Sequence, residues 1–155
     1  MPKNEASIEI NRSAVEVFDV IHDYPRRLEW DSLLRKAELC DGARRADLGV
    51  RSVCAGKWFL GGIAMKTEYI SFERGEVAAV KMVNHPLFFR NFAATIRHED
   101  IGERKSITRY IYNFDAKPKP LSAVLEPILD RILRKETRKR LASLKKYMET
   151  PGNSA

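Results

Sequence analysis

Cysteine and histidine are scarce in this chain, and that scarcity removes several chemistries at the outset. Cys40 and Cys54 are the only cysteines among 155 residues, and their spacing matches no zinc or redox motif. With no secretory signal visible after the polar start Met1-Pro2-Lys3-Asn4-Glu5, two reduced, mostly buried thiols in a cytoplasmic protein are expected. His22, His85 and His98 are the only histidines. No two of them stand at i, i+4 and none lies close to a cysteine, so no metal site is expected. No cofactor is expected either. A Gly-x-Ser-x-Gly elbow is missing. Gly56, Gly61 and Gly62 fall close together but no Lys-Ser/Thr follows them, so the segment reads as a hairpin or bulge and not a phosphate loop. Even counting glycines, the longest apolar stretch runs only from Trp58 to Met65. A membrane-spanning helix needs roughly 20 apolar residues.

What is present fits one globular domain. Apolar residues make up 44% and charged residues 32%, outside the range of global disorder. A chain of this length buries about 70% of its unfolded surface and needs no disulfide or metal to fold. The domain is expected to span 1–149, with 150–155 a disordered tail. The net charge of +7 is unevenly spread. Residues 1–114 carry 18 basic and 16 acidic side chains, and residues 115–155 carry 10 and 5.

Ser7 to Asn11 alternates apolar and polar residues, as a half-buried strand does. Ser13-Ala-Val-Glu16 forms a capping box ahead of an apolar stripe of Ala14, Val17, Phe18 and Ile21. Tyr24-Pro25 ends that helix, and Pro25 can open a second short one through Trp30. His22 closes the first helix, where a cationic imidazole would suit the helix dipole. Strands are predicted over 34–41, 49–58, 63–73, 76–83, 89–100 and 105–115, separated by short turn signals that favour antiparallel hairpins. After Lys117-Pro118-Lys119-Pro120, a stiff linker, a long helix runs from about Leu121 to Tyr147. Its apolar face is Leu121, Leu125, Ile128, Leu129, Ile132, Leu133, Leu141, Leu144 and Met148. Pro127 either begins the main helix or interrupts one continuous helix.

Seven antiparallel strands and one long amphipathic helix make an α+β domain. A curved sheet wrapped around that helix leaves space between them, where small ligands bind. The order Val17-Phe18, Asp23, Pro25, Trp30 resembles the opening of the START-like helix-grip superfamily, in particular its polyketide cyclase/dehydrase and lipid-transport group, which shares the birch-pollen-allergen-like fold. Tyr69-Ile-Ser-Phe-Glu-Arg-Gly75, Thr108-Arg-Tyr-Ile-Tyr112 and Arg138 to Glu149 resemble later pieces of that pattern, so the likeness extends over about residues 5–149. It implies a helix-grip fold, with a seven-stranded curved antiparallel sheet around a long C-terminal helix and two short helices after the first strand. It also implies an internal cavity for a lipid, sterol, quinone, polyketide or aromatic compound.

A carrier needs an apolar lining, and a cyclase or dehydratase of this fold also needs polar groups inside it. Trp30, Trp58, Phe59, Met65, Phe88, Phe89, Phe92, Ile128 and Ile132 are the candidates for ligand contact. On the strand over 63–73, Met65, Thr67, Tyr69 and Ser71 share one face, while Lys66, Glu68, Ile70 and Phe72 share the other. On the strand over 105–115, Thr108, Tyr110, Tyr112 and Phe114 oppose Ile107, Arg109, Ile111 and Asn113. Alternation alone leaves open which set points inward. Glu68, Arg109, Tyr110 and Tyr112 are therefore the catalytic candidates, since a buried charge is costly unless it is paired or put to use.

The expected partner is a hydrophobic small molecule bound or carried in the cavity. The alternatives are a polyketide cyclase, aromatase or dehydratase, and a protein that touches membranes or RNA through its basic helix. Arg131, Arg134, Lys135, Arg138 and Lys139 would carry an anionic-membrane contact. No base-reading module is visible, so no nucleic-acid partner is expected.

Overall fold

The computed structural model describes residues 3–57 and 63–152. Its strands are β1 (Lys3–Ile10), β2 (Leu34–Leu39), β3 (Arg51–Gly56), β4 (Ala64–Glu73), β5 (Val77–Met82), β6 (Phe89–Gly102) and β7 (Lys105–Ala116). They form one curled antiparallel sheet in the order β1-β7-β6-β5-β4-β3-β2. Helix α1 (Ala14–Ile21) and a short 3-10 helix (Tyr24–Glu29) follow β1, and α2 (Lys119–Glu149) closes the chain. This is the α+β helix-grip architecture. Each strand from β2 to β7 lies within a few residues of its predicted range. β1 starts four residues earlier than predicted, because Lys3 to Ser7 pair with β7 although Asn4 and Ala6 give that stretch little apolar alternation.

α1 forms where the apolar spacing requires it and buries Ala14, Val17, Phe18, Val20 and Ile21. Ser13 caps it by accepting from the Glu16 amide at 3.3 Å. The Glu16 carboxylate then accepts from the Ser13 hydroxyl at 3.1 Å and does not reach back to the cap backbone. α2 is continuous through Pro127, which answers the alternative left open by the sequence. Pro120 stands in its first turn, where no amide hydrogen is needed. The C-terminal half of α2 is its anchor. Leu144 and Met148 are fully buried with Ile10, Val17, Ile21 and Trp30 in one cluster.

The β4–β5 turn meets α1 at Gly75, which has φ +81°. A Cβ there would sit 2.7 Å from Val15 Cγ2, and Val15 is branched at Cβ and cannot swing clear at little cost. Gly75→Ala is expected to destabilise by about 1–2 kcal/mol from the left-handed backbone alone. Urea unfolding checks this, and an unchanged midpoint would show that the turn relaxes.

β4 carries a local irregularity with consequences for the site. Tyr69 pairs with Val80 and Ser71 with Ala79, so Ile70 is an extra residue on that strand. Beyond this bulge the faces exchange. Phe72 joins Tyr69 on the inner side, with ring centroids 5.3 Å apart, while Ile70 is exposed.

Candidate functional site

Between the inner face of the sheet and α2 lies a cavity of about 390 Å³. Its size falls within the range of small-molecule sites. One end is apolar. Ile63, Met65, Leu87, Phe88, Phe89, Phe92, Leu129, Ile132 and Leu133 line it. Phe89 packs edge-on against Phe92 and Phe114. Toward the other end of the strands and of α2 the lining gains its polar groups, His22, Tyr24, Arg27, Thr67, Tyr69, Tyr110, Glu136, Thr137 and Arg140, set among Leu34, Ala78 and Ile96.

Two polar systems meet at that end. The first is a chain of hydroxyls. The Tyr69 hydroxyl lies 2.8 Å from His22 Nδ1 and 2.9 Å from the Tyr24 hydroxyl. Tyr24 donates to Ser52 Oγ at 3.2 Å, and Ser52 Oγ lies 3.1 Å from Thr67 Oγ1. Phe18, Tyr69 and Phe72 surround the His22 ring. Burial holds His22 well below its ordinary pKa, and the positive charge of Arg27 pushes it the same way. His22 is therefore neutral at pH 7, contrary to the cationic helix-end role expected of it. Its Nε2 has no hydrogen-bond partner among the described residues. Burial also raises the Tyr69 and Tyr24 phenols, which stay protonated.

The second system is a buried ion triad. Asp31 Oδ2 accepts from Arg27 Nε at 2.9 Å and from Arg140 Nη2 at 2.9 Å, and Asp31 Oδ1 accepts from Arg140 Nε at 3.1 Å. Arg27 Nη1 is used by the Ile21 carbonyl. Burial would raise the Asp31 pKa, but Arg140 and Arg27 outweigh it and hold the carboxyl below its ordinary value. Arg27 Nη2 and Arg140 Nη1 make no hydrogen bond among the described residues, and both side chains line the cavity. Glu136 shares the wall and is paired with Lys139 at 3.5 Å.

The candidates read from the sequence divide cleanly. Tyr110, Tyr112, Met65, Phe88, Phe89, Phe92 and Ile132 line the cavity. Glu68 and Arg109 do not. They stand on the outer face because their odd-even partners Thr67, Tyr69, Tyr110 and Tyr112 occupy the inner one. Glu68 pairs with Arg51 across β3–β4 at 2.9 Å, and Arg109 reaches Glu99 at 3.3 Å. Trp30 is core, packed beneath α2 and stacked under the Arg27 guanidinium at 5.0 Å. Ile128 is 52% exposed and lies outside the lining. Trp58 and Phe59 lie outside the described residues, as do 153–155 of the expected tail. Both cysteines are free, and Cys54 lines the cavity with its thiol pushed up by burial. Among the described residues no three metal-ligating side chains gather, and no helix is long and apolar enough to cross a membrane.

A family model for polyketide cyclase/dehydrase and lipid transport matches residues 1–149. The chain belongs to that family. Solved structures share its fold at low identity. The Zhui aromatase/cyclase from Streptomyces sp. R1128 is 8% identical with a TM-score of 0.83, covering 99% of each chain. A START superfamily protein from Mycobacterium smegmatis is 9% identical with a TM-score of 0.74, covering 93% of this chain and 97% of the other. The di-domain aromatase/cyclase BexL of the BE-7585A biosynthetic pathway is 13% identical with a TM-score of 0.75. That match covers 97% of this chain and 48% of BexL, so this family member spans about half of that protein. No curated protein sequence matches the chain at a significant level.

Proposed function

We propose that this family member binds and carries an amphipathic small molecule. Its apolar body would lie among Met65, Phe89, Phe92 and Leu133, and its acidic, oxygen-bearing end would meet Arg27 and Arg140. The observation that carries this reading is one cavity with an apolar stretch of lining and, further along it, two guanidinium nitrogens, Arg27 Nη2 and Arg140 Nη1, whose hydrogens are unspent among the described residues. A charged acceptor there gains charge-assisted hydrogen bonds without any new desolvation of the arginines.

Native mass spectrometry of the purified protein, followed by solvent extraction, tests the carrier reading. A stoichiometric amphiphile is the expected result. A matched series of one long-chain acid, its alcohol and its methyl ester then tests the end-group assignment. The acid is expected to bind about tenfold tighter or more, since a hydrogen bond to a charged group contributes about 1.5–3 kcal/mol. Val80→Phe, which fills the lining, should abolish binding of all three. If none of the three binds the unaltered protein, the carrier reading fails. If all bind equally, only the acidic end group fails.

A second reading draws on the hydroxyl chain from His22 through Tyr69 and Tyr24 to Ser52. A neutral imidazole joined to two protonated phenols can accept and return a proton at one cavity wall. That is the equipment an aldol cyclisation or dehydration of a poly-β-ketone requires, and two of the structurally similar proteins are aromatase/cyclases. Under this reading Tyr69→Phe lowers turnover of a poly-β-ketone thioester at least a hundredfold while leaving its binding intact. Recovery of unchanged polyketone from the unaltered protein would exclude it.

A further inference from the structure

The apolar stripe predicted along α2 is not wholly used by the core. Leu121, Val124 and Ile128 are 52%, 62% and 52% exposed. Ile132 lies one turn beyond Ile128 on α2, and Ile132, Leu87 and Phe88 are exposed and also line the cavity. The Lys117 amide donates to the Phe88 carbonyl at 3.0 Å, fixing this loop against the start of α2. Phe88 is held at φ +70°, a backbone conformation that bulky residues rarely adopt. The exposed apolar surface is thus continuous with the mouth of the cavity. Scattered exposed apolar residues need no explanation, but a contiguous patch marks a contact surface.

The charges beside this patch have one sign. Val124, Ile128, Arg131 and Lys135 follow i, i+4, i+7, i+11 spacing and share one face of the helix. Arg138 continues it. Arg134 and Lys139 are tied to Asp130 and Glu136, whereas Arg131, Lys135 and Arg138 form no ion pair among the described residues. An apolar stripe followed on the same face by unpaired cations matches the interface of an anionic bilayer, acyl chains against the stripe and phosphates against the cations. A protein partner would have to supply an acidic, apolar groove, and a nucleic acid would leave the stripe bare.

We propose that the outer face of α2 from Leu121 to Arg138, with Leu87 and Phe88, docks on an anionic membrane surface and opens the cavity mouth directly onto the bilayer. A hydrophobic ligand then passes between lipid and cavity without crossing water. The proposal does not depend on which molecule the cavity takes.

Flotation with phosphatidylcholine vesicles, with and without phosphatidylglycerol, tests it on the full chain. Binding to the phosphatidylglycerol vesicles is expected, weakening as salt rises. Val124→Ser with Ile128→Ser, both outside the cavity lining, should weaken binding about tenfold or more. Arg131→Gln, Lys135→Gln and Arg138→Gln together should weaken it on the order of a hundredfold, about fivefold for each charge. All five positions are exposed, so thermal melting of each variant should match the parent. Failure to bind phosphatidylglycerol vesicles at low salt overturns the proposal. So does binding that ignores the two serine substitutions, because a purely electrostatic contact would not sense them. Binding of single-stranded RNA in place of vesicles overturns it too.

Discussion

Replacing Asp31 with alanine should lower the unfolding free energy by about 3–5 kcal/mol, the usual cost of breaking a buried ion pair by removing one partner. Asp31 is 2% exposed and its carboxylate takes hydrogen bonds from Arg27, from Arg140 and from the Leu33 amide. Without it two guanidinium groups remain in a low-dielectric interior with no countercharge. A guanidinium keeps its proton throughout the accessible pH range, whether or not a carboxylate faces it. The two arginines cannot escape by deprotonating. Urea unfolding measures the loss, read as a shifted midpoint at constant slope. A shift corresponding to less than about 1 kcal/mol would mean that water reaches the triad and screens it.

The same triad allows stability to be separated from function. Exchanging all three residues for apolar ones (Arg27→Met, Asp31→Leu, Arg140→Met) should be close to neutral or stabilising, because desolvation of the charges disappears along with their attraction. That variant should nevertheless lose its preference for an acid over the matched alcohol. A stable fold with undiminished acid selectivity would move the end-group site away from Arg27 and Arg140.

Much of the architecture was legible because it follows from periodicity. Two-residue alternation and short turn signals locate six strands, and the Ser13 cap with Val17, Phe18 and Ile21 locates α1. The pairing of faces was legible too, since Met65, Thr67 and Tyr69 travel together, as do Tyr110 and Tyr112. Which set turned inward was not, because both faces of β4 and β7 mix apolar and polar residues. The bulge at Ile70, which brings Phe72 inside, leaves no glycine to announce it. The ion triad was missed for a different reason. Arg27 and Asp31 stand i, i+4 around the short 3-10 helix, and their partner Arg140 is 109 residues away from Asp31. One signal was nonetheless present. Between Leu133 and Leu141 the stripe of α2 demands inward residues, and the sequence supplies Glu136, Thr137 and Arg140. Polar residues at positions where helical spacing requires burial were the mark of the polar wall.

Acid should unfold this protein sooner than its carboxylates alone would require. His98 lies buried on β6, with Nδ1 3.1 Å from Thr108 Oγ1 and its ring edge-on to Phe18. Burial lowers its pKa to about 4. In the unfolded chain the value returns to about 6.5. Below that pH the unfolded state binds a proton that the folded state refuses, so stability falls as pH falls. The contribution is whole above about pH 6.5 and is lost progressively down to about pH 4, where both states are protonated. Over that window His98 accounts for about 3 kcal/mol, at 1.36 kcal/mol for each unit of displacement. His22 shifts in the same direction and steepens the slope. Asp31 acts in a separate window, because a carboxyl held below its ordinary value stabilises until pH falls below about 4. Urea midpoints taken from neutral pH down to about pH 5.5 should therefore decline steadily, before the carboxylates begin to titrate. His98→Asn should flatten that decline by up to one proton, about 1.4 kcal/mol per pH unit at its steepest. Identical slopes in the variant and the parent would show that His98 takes up its proton without leaving the fold.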